Sequence, residues 1–283
     1  ICEALAGCRP KARVQALRAV MLELERLANH CGDLGAIAGD IGFQPTAACC
    51  GRIRGDFLNM TALVCGNRFG RGFALPGAAG FALESGRGEE LLERLAVSEK
   101  EAGDAIRLLW DTQSVMARLQ NTGPLPAEIV RTLGIVGPAA RAAGVVRDVR
   151  CDQPTGIYRF AQLPVSTGTG GDVFARAHVR WLEMQQSMLF IREQLRMLPG
   201  DGSPKACTAP APDSIAVVLN EGWRGEICHV ALTGPEGRFA RYKIVDPSFH
   251  NWPGLAHALR NQEISDFPLC NKSFNLSYCG HDL

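Results

Sequence analysis

Between Asp172 and about Met197 the apolar residues Val173, Ala177, Trp181, Met184, Met188, Ile191 and Leu195 recur at steps of three and four, which marks one face of a helix. Asp172 is placed to cap its start, and Pro199-Gly200 to stop it. At 1.5 Å per residue this helix runs ~39 Å, enough to cross a whole domain. A fold that contains it is built on long helices.

A second stripe supports that reading. Val14, Leu17, Met21, Leu24, Ala28, Cys31 and Leu34 share one face of a helix predicted from Pro10 to about Ala38, with Lys11, Arg18, Glu25 and Asp33 opposite. Glu23 and Arg26 are spaced for a surface ion pair. Residues 39–90 are glycine-rich and read as turns with one short helix between them. Helical pattern returns from Glu89 to about Leu119, and a short helix follows Pro126. G-P-A-A-R-A-A-G from Gly137 is a tight small-residue segment.

Beyond a Pro-rich loop at 200–213 the period changes. Ser214 to Leu219, Glu226 to Leu232 and Phe239 to Val245 read as strands, with a turn at Gly234–Gly237, and Pro253 to Leu259 as a short helix. The fold class is therefore α+β and mainly α: a bundle of long helices with a small antiparallel sheet near the C-terminus. Its division is a helical body at 1–199, the loop at 200–213, and a sheet segment with a C-terminal tail at 214–283.

Several chemistries are excluded. The formal net charge of +1 offers no field for nucleic acid, and no apolar run approaches the ~20 residues of a membrane span. The 11 cysteines, an odd number without C-x-x-C spacing or an export signal, fit buried thiols in a reducing compartment. The opening I-C-E-A-L-A-G-C reads as the interior of a longer chain. There is no G-x-S-x-G elbow and no H-E-x-x-H. Ser166–Gly171 lacks the lysine and the spacing of a phosphate loop. His30, His178 and His229 read as packing residues. E-G-W-R-G-E, from Glu221, reads as a bulged strand entrance with Arg224 placed to pair a carboxylate.

Five segments, taken in order, resemble the large subunit shared by nickel–iron hydrogenases and respiratory complex I. Glu23, Glu25, Arg26 and His30 match an E-x-E-R-x-x-x-H helix, and C-G-N-R-F from Cys65 is similar to T-G-x-R. Arg141, Gly144, Asp148, Arg150 and Tyr158 fit a third segment, and Gly171, Asp172, Arg176, Arg180, Glu183 and Ser187 a fourth. E-G-W-R-G-E followed by Y-K-I-V-D-P-S-F-H-N resembles E-x-P-R-G-E and K-I-R-x-P-S-F-x-N. The membrane-bound branch, with formate hydrogenlyase and hydrogenase-4, is the nearest in flavour.

The resemblance implies a helical bundle docked on a small iron–sulfur subunit, with membrane subunits beyond it. In hydrogenases the bundle holds nickel and iron on four cysteines, and in complex I the same place belongs to a quinone cavity. Laid on D-P-C-x-x-C, the tail S-F-N-L-S-Y-C-G-H-D-L puts Ser277 and Gly280 at the two ligand positions, with Cys279 one residue off register. The expectation is no metal and no cofactor in this chain, an iron–sulfur cluster in the partner, and a quinone-type or unidentified acceptor. Ser277, Tyr278, Cys279, His281 and Asp282 are expected to face the old metal cavity, with His281 and Asp282 delivering protons. The chain would lie peripherally on the cytoplasmic side of the inner membrane, without NAD. Two alternatives stay open: a non-catalytic scaffold docking the iron–sulfur partner, and a true hydrogenase using Cys279.

Overall fold

The computed structural model describes residues 1–200 and 207–281. After a short α1 (Cys2–Leu5), the central element is α2 (Ala12–Asp40), which packs against α3 (Gln44–Cys65) and α9 (Val173–Arg196). α4 (Ser85–Trp110) closes the bundle against α3 and α9. Its continuation Gln113–Leu119 is a separate α5, because the chain bends at Asp111–Thr112. A two-stranded ladder, β1 (Ala74–Leu75) with β2 (Ala78–Ala79), lies between α3 and α4. Short helices α6 (Ala127–Leu133), α7 (Gly137–Arg141) and α8 (Val149–Asp152) and a 3-10 turn at Gly156–Phe160 bridge to α9. The side chain of Asp172 caps α9 by accepting from the Ala175 N–H at 2.8 Å.

The long helix missed by the sequence reading is α3, where only a short one was expected. Residues 39–90 read as glycine-rich turns around one short helix, yet the buried positions Cys50, Ile53, Phe57, Met60 and Val64 step by three and four. That buried stripe outweighs the exposed Gly51 and the half-buried Gly55, each costing about 1 kcal/mol in a helix.

β3 (Ile215–Gly222), β4 (Gly225–Thr233) and β5 (Phe239–Val245) form the antiparallel sheet, with Gly222 paired to Gly225 across a two-residue turn. E-G-W-R-G-E is thus a hairpin tip rather than a bulged entrance; the bulge lies at Leu232/Thr233. The chain then forms α10 (Pro247–Ala258), longer than expected, followed by α11 (Phe267–Phe274) and α12 (Tyr278–His281). No helix among the described residues is long and apolar enough to cross a membrane.

The cysteines bring a correction. Cys8 and Cys207, 199 residues apart, form a disulfide with Cα atoms 5.5 Å apart, where the sequence suggested only thiols. It fastens the chain between α1 and α2 to the segment after α9.

Candidate functional site

α2 is buried on both faces, and this creates the site. Glu23, Arg26, His30 and Asp33, at steps of three and four, lie on the edge that an amphipathic reading assigns to solvent, yet each is at most 4% exposed. The pair Glu23–Arg26, at 3.0 Å, is a core ion pair and not a surface one. Opposite it α9 presents Arg176, Arg180, Glu183 and Ser187, also buried and also at steps of three and four. Two polar edges meet inside the bundle.

The meeting is closed by hydrogen bonds. Glu23 accepts from Arg26 Nε at 3.0 Å, Arg150 Nη1 at 3.1 Å, Tyr158 OH at 2.6 Å and Ser187 Oγ at 2.6 Å. Glu183 accepts from Arg141 Nε at 2.8 Å and shares a 2.9 Å bond with His30 Nε2. Arg141 also donates to Glu221 Oε1 at 2.8 Å, and Arg150 Nη2 to Asp148 at 2.6 Å. Arg180 Nε donates to Asp33 at 2.9 Å. Buried charges survive only when paired in this way. Arg176 pairs with no carboxylate among the described residues: it donates to Ser273 Oγ and two carbonyls and stacks on Phe274 at 4.4 Å, and burial brings its pKa down to about 10.

These pairings set the acid limit of the fold. Burial pushes the Glu23 carboxyl up, but the guanidinium groups of Arg26 and Arg150 and the Ser187 and Tyr158 hydroxyls outweigh it and hold the pKa at about 2. Asp148 likewise falls to about 2, and Glu183 well below the usual range. A carboxyl whose folded pKa lies below its unfolded value stabilises the fold above the unfolded value. That contribution is lost as pH falls toward the folded one. Glu221, Glu25 and Asp40, raised by desolvation, act with the opposite sign, while Glu3 beside Arg18 joins the lowered set; the depression of Glu23, Asp148 and Glu183 dominates. Stability should therefore decline from about pH 4.5 to about pH 2, with Glu23 alone contributing roughly 3 kcal/mol. Urea midpoints measured across that range at fixed ionic strength check this; a flat profile would contradict it.

The network is anchored to the hairpin. Arg26 donates to the carbonyls of Gly222 at 3.0 Å and Glu221 at 2.7 Å. Gly137 meets the hairpin tip backbone to backbone: a Cβ there would lie 2.1 Å from the Arg224 carbonyl oxygen. Arg224 stacks on Trp223 at 3.7 Å and donates to the Asn275 carbonyl rather than to a carboxylate. Asn275 in turn donates to Asp33, so the tail is tied to the middle of α2.

Within the tail, Ser277 N–H donates to Ser248 Oγ at 2.9 Å, and Ser277 Oγ accepts from Gly280 N–H at 3.0 Å and lies 3.2 Å from Cys279 Sγ. Tyr278 is 70% exposed and packs its ring on Trp252. His281 ends α12, its side chain lies outside the described atoms, and Asp282 lies outside the described residues. The structure thus brings Ser277 and Cys279 together and turns Tyr278 outward. Gly280 is buried against Asp246: a Cβ at this position would lie 2.6 Å from the Asp246 carboxyl carbon. Asp246 is fixed there by capping α10, accepting from Ser248 N–H at 2.8 Å.

A cleft of about 910 Å³ is floored by Met21, Leu22, Leu58, Phe73 and Trp223, and none of the described tail residues lines it. Arg54, Arg68 and Arg159 line it and make no hydrogen bond or ion pair among the described residues. Volume, apolar floor and a few cationic groups suit an apolar molecule with polar ends. The sequence offered no signal for this cleft, because its walls come from five separated segments. Among the described residues no three His, Cys, Asp or Glu side chains are grouped to hold a metal ion.

Comparison with known proteins gives a consistent picture. The family described as respiratory-chain NADH dehydrogenase, 49 Kd subunit, matches residues 40–213. An NADH-quinone oxidoreductase subunit of Herpetosiphon aurantiacus is 32% identical, over 93% of this chain and 73% of that relative. The carbon monoxide-induced hydrogenase of Rhodospirillum rubrum is 30% identical, over 96% of this chain and 76% of the relative. Formate hydrogenlyase subunit 5 of Escherichia coli is 29% identical over 96% of this chain, but only 48% of that relative is covered.

Proposed function

The chain belongs to the family of the 49 Kd subunit of respiratory-chain NADH dehydrogenase, and from that premise we propose that it is an electron-transfer subunit of a complex-I-like or hydrogenase-4-like oxidoreductase. In this reading it docks on a small iron–sulfur subunit, lies peripherally with membrane subunits on the cytoplasmic face, and passes electrons to a quinone-type acceptor in the arginine-lined cleft. The hydrogenase names among its relatives raise the alternative of a nickel–iron centre. The residues at the tail do not fit one. Soft nickel calls for thiolates, whereas one ligand position is a serine and the other a glycine. The carboxylate of Asp246 packs against that glycine. This Asp246–Gly280 contact carries the reading, because a cysteine at 280 would collide with Asp246.

Nicotinamide chemistry belongs to other subunits here. A non-catalytic docking scaffold has one observation in its favour: Glu23, Asp33 and Glu183 on the matched helices are engaged in internal pairing. The purified complex separates these readings. Reduction of a short-chain quinone with no stoichiometric nickel is the expected result, and stoichiometric nickel together with hydrogen uptake would overturn it. Inactivity toward quinone in a complex whose iron–sulfur clusters still reduce would favour the scaffold.

A further inference from the structure

Glu25 stands apart from its neighbours on α2. Glu23, Arg26 and His30 are enclosed and bonded, whereas the Glu25 carboxylate makes no hydrogen bond and no ion pair among the described residues. Its side chain borders two spaces at once. One is the large cleft; the other is a smaller cavity of about 120 Å³ that reaches Arg26, Arg224 and Asp246. Leu22, Asn220 and Trp223 complete the shared wall. At about 30 Å³ per water, the smaller cavity has room for a short hydrogen-bonded file.

We propose that Glu25 is the acid that protonates the acceptor in the large cleft, recharged from the small cavity beside Asp246. This rests on the quinone reading above. The chemistry balances without another reagent: two electrons arrive singly from the iron–sulfur partner, and each quinone carbonyl oxygen gains one electron and one proton. Glu25 gives up the first proton as its carboxyl ionises, takes another through the small cavity, and gives up the second. Glu25 is exposed toward the two cavities it borders, and partial desolvation there, opposed by the charge of Arg26, raises the pKa of its carboxyl. The charges facing it are Arg26 on its own helix and Arg224 and Asp246 across the small cavity. On the cleft side they are Glu3 and Arg18, which pair with each other, then Arg54 and Arg68 from α3 and the loop after it, with Arg9, Arg159 and the Tyr158 phenol on the remaining wall.

The test uses the whole complex carrying Glu25→Gln or Glu25→Asp. Two rates are followed from about pH 5.5 to 8.5: reduction of decylubiquinone, which consumes protons, and reduction of ferricyanide, which does not. Glu25→Gln should lower the quinone-to-ferricyanide ratio roughly 100-fold, in the range of a lost general acid, with KM for the quinone changed little. Glu25→Asp should restore part of the ratio and shift its pH dependence. Infrared difference spectra of the wild-type complex should also show a protonated carboxyl C=O band that disappears in Glu25→Gln, independently of turnover. A wild-type ratio and pH profile in Glu25→Gln, with the carboxyl band retained, overturns the inference while leaving the quinone reading intact. Failure of the wild-type complex to reduce decylubiquinone overturns both.

Discussion

Glu23→Ala should destabilise the chain by about 3–5 kcal/mol, the range for removing one partner from a buried ion pair. The loss is large because of what remains. Arg150 and Arg26 keep their charges in a wall that is at most 5% exposed, and the Tyr158 and Ser187 hydroxyls lose their acceptor. Arg150 retains Asp148, which softens the cost for that cation; Arg26 retains only the two hairpin carbonyls. Glu23→Gln should cost less, since an amide oxygen still accepts from Tyr158 or Ser187. Urea unfolding followed by circular dichroism gives the value, and a loss below about 1 kcal/mol would show that the pairing is not held in solution.

The second large effect is expected from Gly137→Ala, with a cost of about 4 kcal/mol or more. Gly137 has φ +69°, where a side chain is strained, and its Cβ would also meet the Arg224 carbonyl carbon and Gly225 Cα at 2.6 Å each. Backbone cannot move aside as a flexible side chain would. The hairpin tip must lift, and with it go the Arg26 contacts to Glu221 and Gly222 and the link from Arg224 to Asn275. Hydrogen exchange should then rise at 221–225 and in the tail together, well before α9 is affected. Exchange and stability matching the wild type would refute the close approach.

What was legible in the sequence was whatever repeats locally. The stripe of α9, its Asp172 cap, the stripe of α2 and the three strands follow from neighbours within a few residues, and the structure keeps them all. The environment of α2's polar edge was not legible in that way. Glu23 looks solvated until Arg150, Tyr158 and Ser187 are known to converge on it, and spacing along one helix carries no trace of them. The family motifs did single out those residues, though not their contacts. The Cys8–Cys207 bond had no signal either, since 199 residues separate the pair. Asp246 was visible only as part of the matched Y-K-I-V-D-P-S segment; its packing on Gly280 was not. Glu25 was placed with the solvated charges and is exposed; the two cavities it borders were not legible.

The core network also bears on how the chain reaches its fold. Partners of the α2 charges lie 127, 164, 195 and 242 residues further along. At about 5–20 residues per second of synthesis, Arg26 waits roughly 10–40 s for the hairpin carbonyls that receive it. During that interval α2 and α3 can join only through their apolar sides, because closing the polar edge early would bury cations and carboxylates before their partners exist. The bundle's centre is thus its last part to set, and the slow step in folding is the arrival of the sheet and tail, not the formation of the helices they close upon.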